Sequence, residues 1–178
     1  LSINPNYAEA HTNLGILFDE EKNYAEAKKH YLEALNINPN DDKAHNNLGI
    51  LLFAEKNYTE AKKHYQKALS INPNYAEAHY NLGILFFEEK NYAEAKKHYL
   101  EALSINPNYA NAHHNLGVLF AEEKNYVEAK KHYLEALSIN PNHANAHYNL
   151  GVLFVEEKNY NEAKKYFGRG EAFIEKYV

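Results

Sequence analysis

Eleven histidines and a row of regularly placed asparagines are the residues of this chain with most scope for binding chemistry. Imidazole is a common ligand for zinc and copper, so metal is the first possibility to weigh. His11, His45, His79, His113 and His147 recur at a constant step, and His30, His64, His98 and His132 keep the same step. Neighbours within either series stand 34 residues apart, which leaves convergence on one ion to a fortunate fold. His143 and His147 are four residues apart but straddle a predicted helix start. Both series therefore read as partly buried packing residues, and no metal or cofactor is expected. Asn13, Asn47, Asn81, Asn115 and Asn149 form the second row. A primary amide both donates and accepts, so such a ladder can pair with the backbone of an extended peptide whatever its side chains. The same amides can instead bond within their own segment or to the next one. No nucleophile–base pairing, metalloprotease motif or paired carboxylates in a catalytic setting is visible, and no enzyme is expected. Asn57-Tyr58-Thr59 matches a glycosylation acceptor by chance, and Gly168-Arg169-Gly170 lacks the third glycine and preceding strand of a phosphate loop.

The elements that carry these rows repeat. Pro5, Pro39, Pro73, Pro107 and Pro141 are spaced by 34 residues, as are Gly15, Gly49, Gly83, Gly117 and Gly151, and Tyr24, Tyr58, Tyr92, Tyr126 and Tyr160. Repeats then run over 8–41, 42–75, 76–109, 110–143 and 144–178, with residues 1–7 as the tail of a preceding one. In the third repeat, Ala78, Leu82, Leu85 and Phe86 make the apolar stripe of one amphipathic helix, and Tyr92, Ala95, Tyr99, Ala102 and Leu103 that of a second. Asn91 with Glu94, and Asn74 with Glu77, have capping-box spacing at the two helix starts. Glu-Lys-Asn (89–91) joins the helices and Ile-Asn-Pro-Asn (105–108) stops the second. A hairpin of this kind cannot bury both apolar faces alone, so neighbours must stack into an all-α solenoid. Gly168-Arg169-Gly170 interrupts the fifth repeat, and a slightly irregular continuation of the last helix is expected there, with a kink as the alternative.

Asn81-Leu82-Gly83 with Phe86, Tyr92, Ala95, Tyr99, Ala102 and Pro107 resembles the signature of the tetratricopeptide repeat family, and the resemblance recurs along essentially the whole chain. It implies a right-handed α-solenoid of stacked antiparallel helix hairpins, whose first helices line a concave ligand-binding face. Three departures stand out. The five histidines at the first series' place replace the family's usual Trp. Lys22, Lys56, Lys90, Lys124 and Lys158 stand where a glycine commonly turns the chain, so the adjoining asparagine is expected to take the turn conformation. Lys28, Lys62, Lys96, Lys130 and Lys164 occupy a usually apolar place early in the second helix.

Differences between repeats point to a contact surface. Between the third and fourth, Glu77/Asn111, Tyr80/His114, Ile84/Val118 and Phe87/Ala121 fall on one stripe of the first helix. The most variable places hold Thr12, Asn46, Tyr80, His114 and Tyr148, and Asp19, Phe53, Phe87, Ala121 and Val155. Neutral drift should scatter, whereas these substitutions cluster. The implied site comprises the asparagine row with Phe53, Tyr80, Ile84, Phe87, His114 and Tyr148, flanked by Glu88, Glu122 and Glu156. An extended protein or peptide partner with apolar anchors and basic residues fits it. Only Lys43 is basic on this stripe, which argues against the family's grip on acidic carboxyl-terminal tails.

A net charge of −5 implies no nucleic-acid surface, and no apolar run approaches the roughly 18 residues of a membrane span. No leader is visible, which favours a cytoplasmic location. The absence of cysteine removes disulfides and thiolate metal sites. Self-association is the alternative function. Uncapped repeats would stack end to end, and Leu32, Leu100 and Leu134 offer a further strip on the outer side of the second helices.

Overall fold

The computed structural model describes residues 5–177, with side chains described for residues 7–168. It is an all-α solenoid of helix hairpins: α1 (Pro5–Glu20), α2 (Tyr24–Ile37), α3 (Asp42–Ala54), α4 (Tyr58–Ile71), α5 (Ala76–Glu88), α6 (Tyr92–Ile105), α7 (Ala110–Glu122), α8 (Tyr126–Ile139), α9 (Ala144–Glu156) and α10 (Tyr160–Tyr177). The preceding-repeat tail expected at residues 1–7 lies largely outside the described residues. α1 starts at Pro5, earlier than its counterparts, at a helical position where a missing N–H costs nothing. α10 passes Gly168 and Gly170 as one helix. Among the described residues no helix is long and apolar enough to cross a membrane.

The chain divides into two compact halves, Leu1–Glu89 and Lys90–Val178. In the first, α1 pairs with α2 and α3 with α4, while α2 seats on α3 and α4 on α5. The first helices α1, α3 and α5 also touch in succession. In the second half, α7 pairs with α8 and α9 with α10, with α6 on α7, α8 on α9, and α7 against α9.

Small residues set the spacing inside a hairpin. A Cβ built on Gly117 would meet Tyr133 Cε1 at 2.5 Å and the Ala129 carbonyl oxygen at 3.2 Å, and Gly49 meets Tyr65 and Gly151 meets Phe167 in the same way. Ala27, Ala34, Ala44, Ala61, Ala68, Ala112, Ala129 and Ala136 are sealed around these contacts, and Tyr31, Tyr65 and Tyr133 are buried. Each buried aromatic or leucine contributes on the order of 1.5–3 kcal/mol.

The connection between paired helices corrects the sequence expectation. The left-handed residue is the lysine, with φ of 60° at Lys22, 61° at Lys56, 58° at Lys90, 59° at Lys124 and 58° at Lys158. Lys124 N–H bonds Ala121 O at 2.9 Å and Asn125 N–H bonds Phe120 O at 2.8 Å, a Schellman closure whose register puts the lysine in the left-handed place. The asparagine is taken by the next helix: Asn125 has φ −89° and its side chain accepts the Glu128 N–H at 3.3 Å. Asn91 likewise accepts from Glu94 N–H, at 3.5 Å. The second expected box is absent. α5 is preceded by Tyr75 without a side-chain cap, and Asn74 lies in a turn where its N–H bonds Asn72 Oδ1 at 3.2 Å.

Two kinds of seam join successive repeats within each half. On the second helices, Lys28, Lys62, Lys96 and Lys130 reach Glu55, Glu89, Glu123 and Glu157 of the following repeat at 2.6, 3.1, 3.6 and 2.6 Å. Lys62, Lys96 and Lys130 also lie 4.2, 4.1 and 4.2 Å from the ring centroids of Phe86, Phe120 and Phe154. The lysine thus fills an apolar place with its stem while its ammonium sits over a ring and beside a carboxylate. On the first helices, Asn81 Nδ2 donates to Asn46 Oδ1 at 3.0 Å and Asn149 Nδ2 to His114 Nε2 at 3.0 Å, while Thr12 Oγ1 on α1 donates at 2.7 Å to Oδ2 of Asp41, the residue that caps α3 at the repeat boundary. Thr12, Asn46 and His114 are buried.

His114 is held neutral. Its Nδ1 donates to Asn115 Oδ1 at 3.0 Å while Nε2 accepts from Asn149, so a second proton would oppose one amide N–H against a ring N–H. Burial, with His143 nearby, lowers its pKa from 6.5 to about 4. Burial also lowers His45, His64, His132 and His143.

Three outcomes follow from this packing. Gly117→Ala gains helix propensity but drives a methyl into Tyr133 and the α8 backbone, and is expected to destabilise by about 1–3 kcal/mol, read as a lower urea midpoint. Lys124→Gly relieves a left-handed side chain and should raise stability by about 0.5–1 kcal/mol in the same assay. For the lowered histidines, the unfolded chain takes up protons first as pH falls through 6.5. Their stabilisation is complete above that pH and is lost below it, toward the folded pKa values. His114 alone should remove about 1 kcal/mol between pH 7.5 and 5.5, and a urea midpoint equal at the two pH values would contradict this account.

Candidate functional site

In each half, the first helices carry the residues singled out from the sequence. Asn13 is exposed and Asn47, Asn81, Asn115 and Asn149 are half-buried. Asn13 lines a polar cleft of about 270 Å³ together with Glu9, Asn40, Asp42 and Lys43. The other amides are engaged within the protein. Asn47 bonds the Tyr31 hydroxyl of the preceding hairpin and accepts from Asn46 Nδ2 at 3.3 Å. Asn81 reaches Asn46, Asn115 accepts from His114, and Asn149 bonds both His114 and the Tyr133 hydroxyl. Burial raises Tyr31 and Tyr133 to about 12, with Asp19 adding to the rise at Tyr31 and the Asn149 hydrogen bond offsetting part of it at Tyr133, so both phenols stay protonated. A primary amide has two donors and two acceptor lone pairs. The bonds named for Asn47 and Asn81 use only part of that capacity.

The variable stripe divides into two roles. Its buried members Thr12, Asn46 and His114 make the seams between repeats. Tyr80, Ile84 and Phe87 are half-buried along α5 at helical spacing. Phe53 is half-buried against Tyr58, with ring centroids 5.2 Å apart, so it is directed toward its own hairpin partner. Tyr148 is 60% exposed, its ring 5.8 Å from Phe167. Glu88 and Glu122 end α5 and α7, are exposed, and make no ion pair among the described residues. A carboxylate in the last turn opposes the helix dipole at a cost of roughly 0.3–1 kcal/mol. Glu156 repeats the arrangement at the end of α9. Within each half, the first helices thus carry half-buried amides and end on an exposed carboxylate, Glu88 in the first half and Glu122 in the second.

Two features escaped the sequence. The seams couple a place in one repeat to the asparagine of the next, as in Asn46 to Asn81 and His114 to Asn149, a step of 35 that no helical periodicity shows. The histidine series face one another inside a hairpin: His11 Nδ1 lies 2.9 Å from His30 Nδ1, and His45 Nδ1 lies 2.9 Å from His64 Nδ1. The constant step of 19 between the two series was the available signal.

Comparison with known proteins agrees with this architecture. PilF of Pseudomonas aeruginosa is 28% identical, with a TM-score of 0.86 over 93% of this chain and 77% of that one. MamA of Desulfovibrio magneticus is 20% identical, with a TM-score of 0.77 over 96% of this chain and 97% of that one. YrrB, described as a TPR protein with an unusual peptide-binding site, is 23% identical, with a TM-score of 0.68 over 92% of this chain and 84% of that one. The last two likenesses concern the fold alone. No curated protein sequence matches the chain. Tetratricopeptide repeat family models match residues 8–41, 42–108, 74–142 and 108–176. Glycine-against-tyrosine hairpins at a 34-residue period, covered end to end by those matches, establish that the chain belongs to the tetratricopeptide repeat family.

Proposed function

We propose that this protein-interaction module is a non-catalytic scaffold holding an extended segment of a partner along its first helices, on the side the family makes concave. The asparagine row would meet the partner's backbone with the hydrogen-bonding capacity its internal bonds leave over. In the first half Tyr80, Ile84 and Phe87 would take apolar side chains, and in the second Tyr148 would, with His114 buried in the seam beside it. The observation that carries this reading is the placement of Glu88 and Glu122. Each carboxylate sits at the unfavourable end of a helix, exposed and without an ion pair, which costs folding energy and favours a basic partner. YrrB, a solved member of the same fold, is itself described as peptide-binding.

A second reading is self-association through α1. Leu14 and Leu17 are 40% and 49% exposed there, whereas Leu48 and Leu51 at the matching places of α3 are 1% and 5% exposed. Leu32, Leu100 and Leu134 on the second helices are exposed as well. Mass that rises with concentration, with no peptide bound, would favour it.

The glutamates make a cleaner probe than the asparagines, because replacing Asn81 or Asn149 also cuts a seam. Peptide-array binders are expected to combine basic and apolar residues. The double variant Glu88→Lys, Glu122→Lys should weaken them about tenfold in fluorescence polarisation. Its stability should rise by about 1–2 kcal/mol, because each lysine replaces a carboxylate at the unfavourable end of a helix dipole, so weaker binding could not be put down to unfolding. Binders that are acidic, or affinities untouched by the double variant, would refute the proposal.

A further inference from the structure

We propose that the paired histidines inside the hairpins are binding sites for a divalent transition-metal ion, with zinc as the test ion. The geometry recurs. Nδ1 to Nδ1 distances are 2.9 Å for His11 and His30, 2.9 Å for His45 and His64, and 3.1 Å for His113 and His132. Ring centroids are 5.1, 5.1 and 5.4 Å apart, with planes tilted by 33°, 36° and 32°. His79 and His98 repeat the same spacing in sequence.

The far nitrogens determine what the near ones can do. His45 Nε2 lies 3.1 Å from Pro39 O and His113 Nε2 lies 3.3 Å from Pro107 O. A carbonyl only accepts, so each Nε2 carries the proton and each Nδ1 turns a lone pair toward its partner ring. The partner Nδ1, on His64 or His132, then carries the hydrogen that makes the pair. Shifting that proton through water from Nδ1 to Nε2 of the same ring breaks one N–H bond and forms another, with no net release. Two lone pairs then face each other across the gap. Zinc at 2.0–2.1 Å from each nitrogen needs them about 3.3 Å apart at a tetrahedral angle, with the ion off the line between them, so the pair must open by a few tenths of an ångström and each ring must turn toward the ion. A backbone carbonyl on the far nitrogen is also the usual outer partner of a metal-bound imidazole.

The rings come from opposite helices of one hairpin, so an ion between them would tie α1 to α2, α3 to α4 and α7 to α8. All six rings are half-buried. Among the described residues no group of three or more His, Cys, Asp or Glu closes on an ion, so water or a partner's side chain completes the shell. Such a site is weaker than a structural zinc site with four protein ligands.

The fifth hairpin supplies its own control. Tyr166 stands at the second histidine's place, its ring centroid 5.8 Å from that of His147. His147 Nε2 keeps the carbonyl bond, to Pro141 O at 2.8 Å, and its Nδ1 is buried without a hydrogen-bond partner. This hairpin lacks a second imidazole and should bind no ion. Zinc titration of the whole chain at pH 7.5 by calorimetry, with Co²⁺ absorption as a coordination readout, tests the proposal. His64→Tyr is expected to remove one zinc equivalent, and Tyr166→His to add one, with the helical circular dichroism retained in both. The fifth hairpin already folds with tyrosine at that place, and the added-site variant tests the idea even where the other fails to fold. No zinc uptake by the parent chain, or uptake that both substitutions leave unchanged, would overturn it.

Discussion

The contact on which this architecture depends is the bare helix backbone of a glycine against an aromatic ring. Gly117 lets Tyr133 lie flat on α7, as Gly49 does for Tyr65 and Gly151 for Phe167. It holds the two helices of a hairpin closer than any side chain at that place would permit. One turn before each glycine stands a first-series histidine, and next to each tyrosine a second-series one. The distance that suits the ring is therefore the distance that brings His113 and His132 to 3.1 Å. In the fifth hairpin the glycine faces Phe167 and the histidine faces Tyr166, so the close approach survives a change of ring while the imidazole pair does not.

A hairpin set in this way still has one apolar side to cover, and the seams do that with mixed chemistry. An apolar side chain at the Lys130 place would pack as well, but the ammonium adds a carboxylate at 2.6 Å and a ring at 4.2 Å, both from the following repeat. Ion pairs as exposed as this one contribute at most about 1 kcal/mol. Their larger effect is on register, because the lysine is satisfied only when the next hairpin arrives with its glutamate and phenylalanine in place. The first seam shows the parts are separable: Lys28 keeps Glu55 at 2.6 Å, with Leu52 where later repeats have phenylalanine.

The period, the two helices per repeat and their buried stripes were legible because a 34-residue step and apolar positions three and four apart follow from helix geometry alone. The turn was not. Lysine has no preference for left-handed backbone, and only the register of the Schellman closure assigns Lys124 that place and frees Asn125 to cap α8. The cap expected from Asn74 failed because α5 begins one residue later than that spacing requires, which puts Tyr75 at the cap position. The candidate site was legible as a helix face but not in its division of labour. His114 and Tyr148 occupy the same place of successive first helices, yet one is 9% exposed and the other 60%. Burial there depends on the neighbouring repeat, which single-helix periodicity does not encode.

That division limits how this surface can recognise anything. The buried fifth-place residues are committed to the seams: Thr12 to Asp41, Asn46 to Asn81 and His114 to Asn149. Under the proposed function, a partner lying across them would meet the asparagines from the side that those bonds leave open. Recognition through such amides reads backbone and is indifferent to side chains. On the proposed reading, discrimination would then come from what flanks the row, and the flanks differ in kind between repeats: an exposed ring at Tyr148, half-buried rings on α5, carboxylates at Glu88 and Glu122. The variability that marks the fifth place is accordingly seam variability first. Asn46 and His114 each offer a different acceptor to the following repeat's asparagine, which on the proposed reading would also change what that amide has left for a partner.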